Sequence, residues 1–292
     1  MALSKDCLKH FADLIEQSIG IVYGETNYYQ LETRLEDVSK LLGMSGPTEL
    51  WEKSQRGQLT APMKLLLVDI ATNNETSFFR DPNVFKAIRS IVEQSREGQR
   101  AESPFRVWSA ACSSGQEIYS LAMLFQEIKD QRPFFYNIHA SDISDRMLRR
   151  AQDGIYTQLE VQRGLSAAQL GKYFRPQAMT PGSASDAVKT WEIHPDIRRG
   201  LTFQKLNLLD SWTGLGQFQL ILCRNVLIYQ SVENKKKVIT KLNEHLEAGG
   251  YIILGGAESL IGLSDTLEYV ALEGAVVYRK PTQLGVQEKR VI

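Results

Sequence analysis

The sequence predicts an α/β protein, a doubly wound and mostly parallel sheet with helices on both faces, preceded by an all-α region. Three observations predict it. From Phe105 onward, β-type runs alternate with helical patterns, which is the signature of parallel strands joined by helical crossovers. In the first seventy residues apolar positions recur at three- and four-residue steps, with no strand pattern between them. The chain has 292 residues, 43% of them hydrophobic and 23% charged, an ordinary globular mixture long enough to bury a large core.

Leu8, Phe11, Ile15, Ile19 and Val22 build one apolar stripe. Leu31, Leu35, Val38, Leu41 and Leu42 build a second, which Gly43 is placed to end. Pro47 suits the first turn of a third helix, and Met63–Ile70 continues apolar. A helical domain over residues 1–72 follows, with the α/β domain over 73–292. The run 105–111 is a strand, then comes Cys112-Ser113-Ser114-Gly115 and a helix buried through Ile118, Leu121, Ala122, Phe125 and Ile128. A strand at 137–141 ends at Asp142, and a helix runs through Met147, Leu148 and Ala151. The strand 218–223 ends at Arg224-Asn225, and a helix over 232–246 closes at Gly249-Gly250 before a strand at 251–254. Two β-rich runs, 267–272 and 275–279, place an antiparallel strand at one edge. Between about 177 and 206 the alternation breaks. Residues 181–185 read as a loop, 187–193 and 202–206 as strands of a small inserted β-subdomain.

Lys+Arg and Asp+Glu each number 34, a formal net charge of zero. That balance exerts no broad pull on phosphate backbones or anionic lipid, so nucleic acid is not an expected partner. No apolar run is long enough to span a bilayer, and residues 1–15 are punctuated by charge, unlike a signal peptide. Cys7, Cys112 and Cys223 are odd in number and far apart, which fits neither a disulfide framework nor zinc. A soluble, reduced, cytoplasmic protein is expected.

In an open α/β sheet, ligands bind at the carboxyl ends of the strands near the switch point. Asp142 ends the second strand, where a carboxylate either accepts bonds from ribose hydroxyls or caps the following helix. Glu117 opens the helix after the first loop, where it either meets a ligand or only favours the helix dipole. The loop has one glycine, Gly115, so no dinucleotide fingerprint is present. Thr72–Arg80 reads TNNETSFFR; it is either a solvated linker or a segment folding over a cofactor with Asn74, Thr76 and Arg80 as donors. Phe78 and Phe79 read as core residues, and Tyr229 by itself as a half-buried tyrosine. The four histidines form neither a ligand spacing nor a relay, and no serine-hydrolase elbow is present.

Taken together, the ordered blocks ATNNETSFFRDPNVF, RVWSAACSSGQEIYSLAM, ASDISDRMLRRAQDGIY, LSAAQLGKYF, NLLD and LILCRNVLIY resemble the CheR family of chemotaxis protein methyltransferases. The resemblance covers most of residues 70–259 and implies a seven-stranded methyltransferase sheet with an inserted β-subdomain. It implies a monomeric enzyme that uses S-adenosylmethionine to methylate glutamate carboxylates on the cytoplasmic domain of chemoreceptors, leaving S-adenosylhomocysteine. By motif, Asn74, Thr76 and Arg80 would contact the methionine end of the cofactor or the approaching substrate. Glu117 would take a polar cofactor group, Gly115 the close approach of the loop, and Asp142 the ribose. Asn207 and Leu208 would flank the adenine, while Arg224, Asn225 and Tyr229 would finish the site, with Arg80 and Tyr229 orienting the acceptor. Two features depart from the family pattern. Its Gly-Glu-Glu run is Gly115-Gln116-Glu117 here, and residues 1–70 carry seven basic and ten acidic side chains where the family often presents a basic face. The competing expectations are a related methyltransferase acting in another pathway and a non-catalytic scaffold that binds the cofactor.

Overall fold

Helix α1 (Lys5–Ile19) opens the chain, its start capped by Ser4, whose side chain accepts from the Cys7 N–H. The computed structural model describes residues 3–95, 102–177 and 189–282. Gly20, at φ 77°, ends α1, so Val22 lies beyond the helix and not on its stripe. Helices α2 (Tyr28–Leu41), α3 (Pro47–Gln55) and α4 (Ala61–Ala71) complete the bundle. Phe11, Ile15, Leu31, Leu35, Val38, Leu50 and Leu67 form its core. The second stripe continues through Leu42, and Leu41 turns to solvent. Helix α5 (Pro82–Gln94) follows, with proline in its first turn.

The main sheet then forms from β1 (Phe105–Ala110), β2 (Tyr136–Asp142), β6 (Leu201–Lys205), β7 (Phe218–Cys223), β8 (Leu246–Leu254), β9 (Glu268–Leu272) and β10 (Ala275–Arg279), in the order β6-β2-β1-β7-β8-β10-β9. Five strands are parallel, and β10 runs antiparallel between β8 and β9. Helices α6 (Gln116–Gln131), α7 (Asp145–Asp153) and α10 (Val232–Glu244) make the crossovers. Alternation along the strands divides the apolar load. Val107, Leu220, Leu222 and Ile253 pack with residues of α5 and α6, while Trp108, Ile221, Cys223 and Ile252 pack with α10. The chain order reverses between β1 and β7, so their carboxyl ends flank a crevice.

The inserted sheet differs from the expected one. Its strands are β3 (Ile155–Thr157), β4 (Phe174–Pro176) and β5 (Thr190–Ile193), antiparallel in the order β3-β5-β4, with α8 (Gln158–Gln162) and α9 (Ala167–Tyr173) between β3 and β4. The run at 202–206 belongs instead to β6, the edge of the main sheet, paired with β2. Strands of three residues are too short to show a period, and β6 alternates as either sheet would require. The expected loop at 181–185 and the start of the run at 187 lie outside the described residues. Among the described residues no helix is long and apolar enough to cross a membrane.

Candidate functional site

The loop leaving β1 is built from left-handed backbone. Ala111, Ser113 and Gly115 have φ of 63°, 50° and 95°, which folds the loop tightly above the strand ends. Its Ser113 N–H donates to Asp142 Oδ2 at 2.8 Å, and the Ser144 N–H donates to Oδ1 at 2.9 Å. The cap of α7 is Ser144, whose hydroxyl accepts from Met147, so Asp142 is not the capping residue. Asp142 is only 6% exposed. Burial raises its carboxyl above the usual aspartate value, opposed by the N–H bonds of Ser144, Ser113 and Ile143.

A buried ion cluster stands beside it. Arg224, at the end of β7, donates through Nη1 to Glu117 Oε2 at 2.9 Å and through Nη2 to the Arg80 carbonyl at 3.0 Å and to the Asp81 carboxylate. The Ser109 hydroxyl donates to the other Glu117 oxygen at 2.7 Å. Glu117 is therefore tied by a salt bridge across the sheet, a far stronger constraint than the helix dipole. Asn225 is left-handed at φ 58°. Its N–H and that of Ile228 donate to Glu258 at 2.8 and 3.1 Å, which holds the turn leading to Tyr229.

Thr72–Arg80 is a strap bonded at both sides, not a solvated linker. The Tyr23 hydroxyl donates to the Ala71 carbonyl at 2.7 Å, and Ser113 Oγ donates to the Asn74 carbonyl at 2.9 Å. Asn73 Nδ2 donates to the Tyr229 hydroxyl oxygen at 2.7 Å. Phe78 is buried against Tyr156 and Phe174, which anchors the strap to the inserted sheet.

One cavity collects these groups. Asn74, Thr76, Arg80, Glu117, Asp142, Asn207, Leu208, Arg224, Asn225 and Tyr229 all line it. Gly115 does not. A Cβ there would lie 2.9 Å from Ala151 Cβ and 3.0 Å from the Tyr156 hydroxyl, so the glycine serves the packing of the loop on α7. Gly115→Ala is expected to lower stability by about 1–3 kcal/mol, read from urea unfolding; an unchanged midpoint would contradict this role.

Several lining residues escaped the sequence reading: Ile19, Ile21, Asn73, Ile143 and Gln230. Gln230 Nε2 donates to the Ile19 carbonyl at 3.1 Å, and the Val22 N–H donates to the Tyr229 carbonyl at 2.8 Å. Asn207 likewise reaches the Ser18 carbonyl at 3.0 Å, so its amide joins the bundle to the sheet. The one sequence signal for this closure is Gly20, where a side chain would run into Gln230. Two buried atoms at the cavity, Arg224 Nε and Gln230 Oε1, lack a hydrogen-bond partner among the described residues. Cys112 also lines it, but burial pushes its thiol well above the usual range, so it stays protonated and unreactive.

The family model of the CheR methyltransferase SAM-binding domain matches residues 74–276. The chain is 36% identical over 279 residues to chemotaxis protein methyltransferase Cher2 of Pseudomonas putida, covering 93% of this chain and 96% of that protein. It is 37% identical over 275 residues to chemotaxis protein methyltransferase 1 of Pseudomonas aeruginosa, covering 92% and 96%. A chemotaxis protein methyltransferase 1 of Vibrio cholerae is 33% identical over 283 residues, covering 96% and 98%.

Proposed function

Since the chain belongs to the CheR methyltransferase family, we propose that it methylates glutamate side-chain carboxylates of chemoreceptors, forming glutamyl methyl esters in sensory adaptation. The carrying observation is that one cavity at the switch point holds both the buried Asp142 and the donor pair Arg80 and Tyr229. Cofactor and acceptor sites therefore adjoin.

The residues present fit S-adenosylmethionine. Asp142 offers a buried carboxylate to ribose hydroxyls, with Ile143 and Leu208 as apolar neighbours suited to adenine. Arg224 and Gln230 also line the cavity, and Arg224 Nε and Gln230 Oε1 have no hydrogen-bond partner among the described residues. Asn74, Thr76, Glu117 and Asn225 supply further polar groups, and Asn207 acts mainly by placing Leu208. When bound, the cofactor supplies a methyl group made electrophilic by its sulfonium.

An acceptor glutamate is ionised near neutral pH and needs no general base. What it needs is aim. The Arg80 guanidinium and the Tyr229 hydroxyl orient the carboxylate so that one oxygen faces the methyl group. Asn73 donates to the Tyr229 oxygen, which leaves the phenolic proton for the acceptor. Ile19 and Ile21 add apolar lining that helps keep water from the cavity. Methylation removes the negative charge, so the product loses its attraction to Arg80 and leaves.

The test supplies radiolabelled S-adenosylmethionine to membranes carrying the host's receptors. Base-labile label on a receptor is the expected result; cofactor binding with no labelled protein would favour the scaffold instead. A pH prediction follows from Asp142. Its raised value means that it takes up a proton at higher pH than an exposed aspartate. In that window the native state holds a proton that the unfolded chain lacks, so relative stability rises as pH falls, while the cofactor loses its ionised acceptor. S-adenosylhomocysteine affinity measured by calorimetry should therefore weaken as pH falls into the window. Asp142→Asn should bind more weakly above that window and approach the wild type below it, with the pH dependence flattened.

A further inference from the structure

The Arg80 main chain is held firmly, because its carbonyl accepts from the buried Arg224. Its guanidinium is held differently. Among the described residues it meets Glu75 alone, donating from Nη1 to the Glu75 carbonyl at 3.2 Å and pairing with Glu75 Oε2 at 3.3 Å. Both side chains line the cavity. The other oxygen, Oε1, accepts from Arg163 Nη2 at 2.7 Å. Arg163 ends α8, between strands of the inserted sheet, and Gly164 beside it lies so close to the Phe78 carbonyl that a Cβ would overlap it. One carboxylate is thus shared by two arginines, and one of those is the group assigned to orient an incoming carboxylate.

We propose that Glu75 is an internal stand-in for a ligand carboxylate, occupying Arg80 until that ligand displaces it and its carboxylate then rests on Arg163. This rests on the reading of Arg80 given above. The pair is exposed enough to exchange, with Arg80 at 32% and Glu75 at 49% of side-chain area accessible, and exposed pairs are held weakly. Charge gives the device a use. A bare guanidinium would repel a cationic cofactor in the same cavity, and Glu75 neutralises it until the acceptor brings its own negative charge. The ligand carboxylate is that of the acceptor glutamate; the methionine carboxylate of the cofactor shares its chemistry, and the experiment separates the two.

Calorimetry on the full-length protein reads equilibrium binding of four probes. S-Adenosylhomocysteine and methylthioadenosine differ by the amino-acid carboxylate. A host-receptor peptide with a methylation-site glutamate, and its glutamine counterpart, are titrated with S-adenosylhomocysteine saturating. Glu75→Gln is expected to tighten the glutamate peptide about two- to five-fold, the range of an exposed ion pair, with the glutamine peptide unchanged. Arg163→Gln returns Glu75 wholly to Arg80 and should weaken the glutamate peptide. In an Arg80→Ala background, Glu75→Gln should do nothing. Tightening of S-adenosylhomocysteine without methylthioadenosine would make the cofactor's carboxylate the displaced ligand. A glutamate peptide and S-adenosylhomocysteine that both bind Glu75→Gln unchanged or more weakly overturn the proposal, weaker S-adenosylhomocysteine alone meaning that Glu75 holds the cofactor's ammonium. Absence of methyl esters on receptors with wild-type protein would remove the functional reading separately, while the S-adenosylhomocysteine arm still decides what Glu75 does on Arg80.

Discussion

Arg80→Ala is expected to lower glutamyl methyl-ester formation by about 10²-fold, the usual consequence of removing one aimed donor from a site of this kind. Fold and loss of function separate cleanly here. The contact that Arg80 makes to the buried cluster is through its carbonyl, which alanine retains. Among the described residues its side chain pairs only with the half-exposed Glu75, so stability should change by less than about 1 kcal/mol. Arg80→Lys keeps the charge but not the planar fork and should recover only part of the rate. The measurement pairs a methyl-ester assay with thermal unfolding. A variant that methylates at full rate would remove Arg80 from the acceptor site, and one that fails to fold would show that the side chain is structural.

The largest loss of stability is expected from Arg224→Ala. Arg224 and Glu117 have only 3% and 13% of their side chains exposed. Removing the arginine leaves a buried carboxylate whose remaining partner among the described residues is the Ser109 hydroxyl. Breaking a buried pair in this way costs about 3–5 kcal/mol, on the order of 10 °C in Tm for a chain of this size. Asp81 adds little to that figure because it is half exposed. Glu117→Gln combined with Arg224→Ala should restore part of the loss, since the stranded charge is then gone. A single variant that loses under about 1 kcal/mol would show that water reaches Glu117 and satisfies it.

Much of the site was legible because polar residues stand at the ends of apolar runs. Asp142 closes β2, Arg224 directly follows β7, and Glu117 stands in the first turn of α6, positions that the strand and helix periods reveal without any knowledge of partners. The ambiguity over Asp142 was real, since a carboxylate before a helix commonly caps it. Here Ser144 takes that task, and Asp142 faces the cavity. Gly115 was placed at the cavity from its loop, but the missing Cβ serves Ala151 and Tyr156 on the other side. The inserted sheet differs from the expected one because β3 and β4, with three residues each, are too short to carry a period.

By itself the sequence determined the helical bundle, the parallel sheet, the antiparallel edge and the kinds of side chain at each strand end. Short-range periodicity carries that information, since which face an element buries is written within a few residues. Only the tertiary structure decided which of those side chains meet. Arg224 grips Asp81 across 143 positions, Asn73 reaches Tyr229 across 156, and Gln230 closes on Ile19 across 211. No local pattern encodes such pairings, because a hydrogen bond between distant segments depends on how every strand and helix between them packs. The strap was therefore readable as a polar stretch, and its work of joining bundle, sheet and inserted strands around one cavity was not.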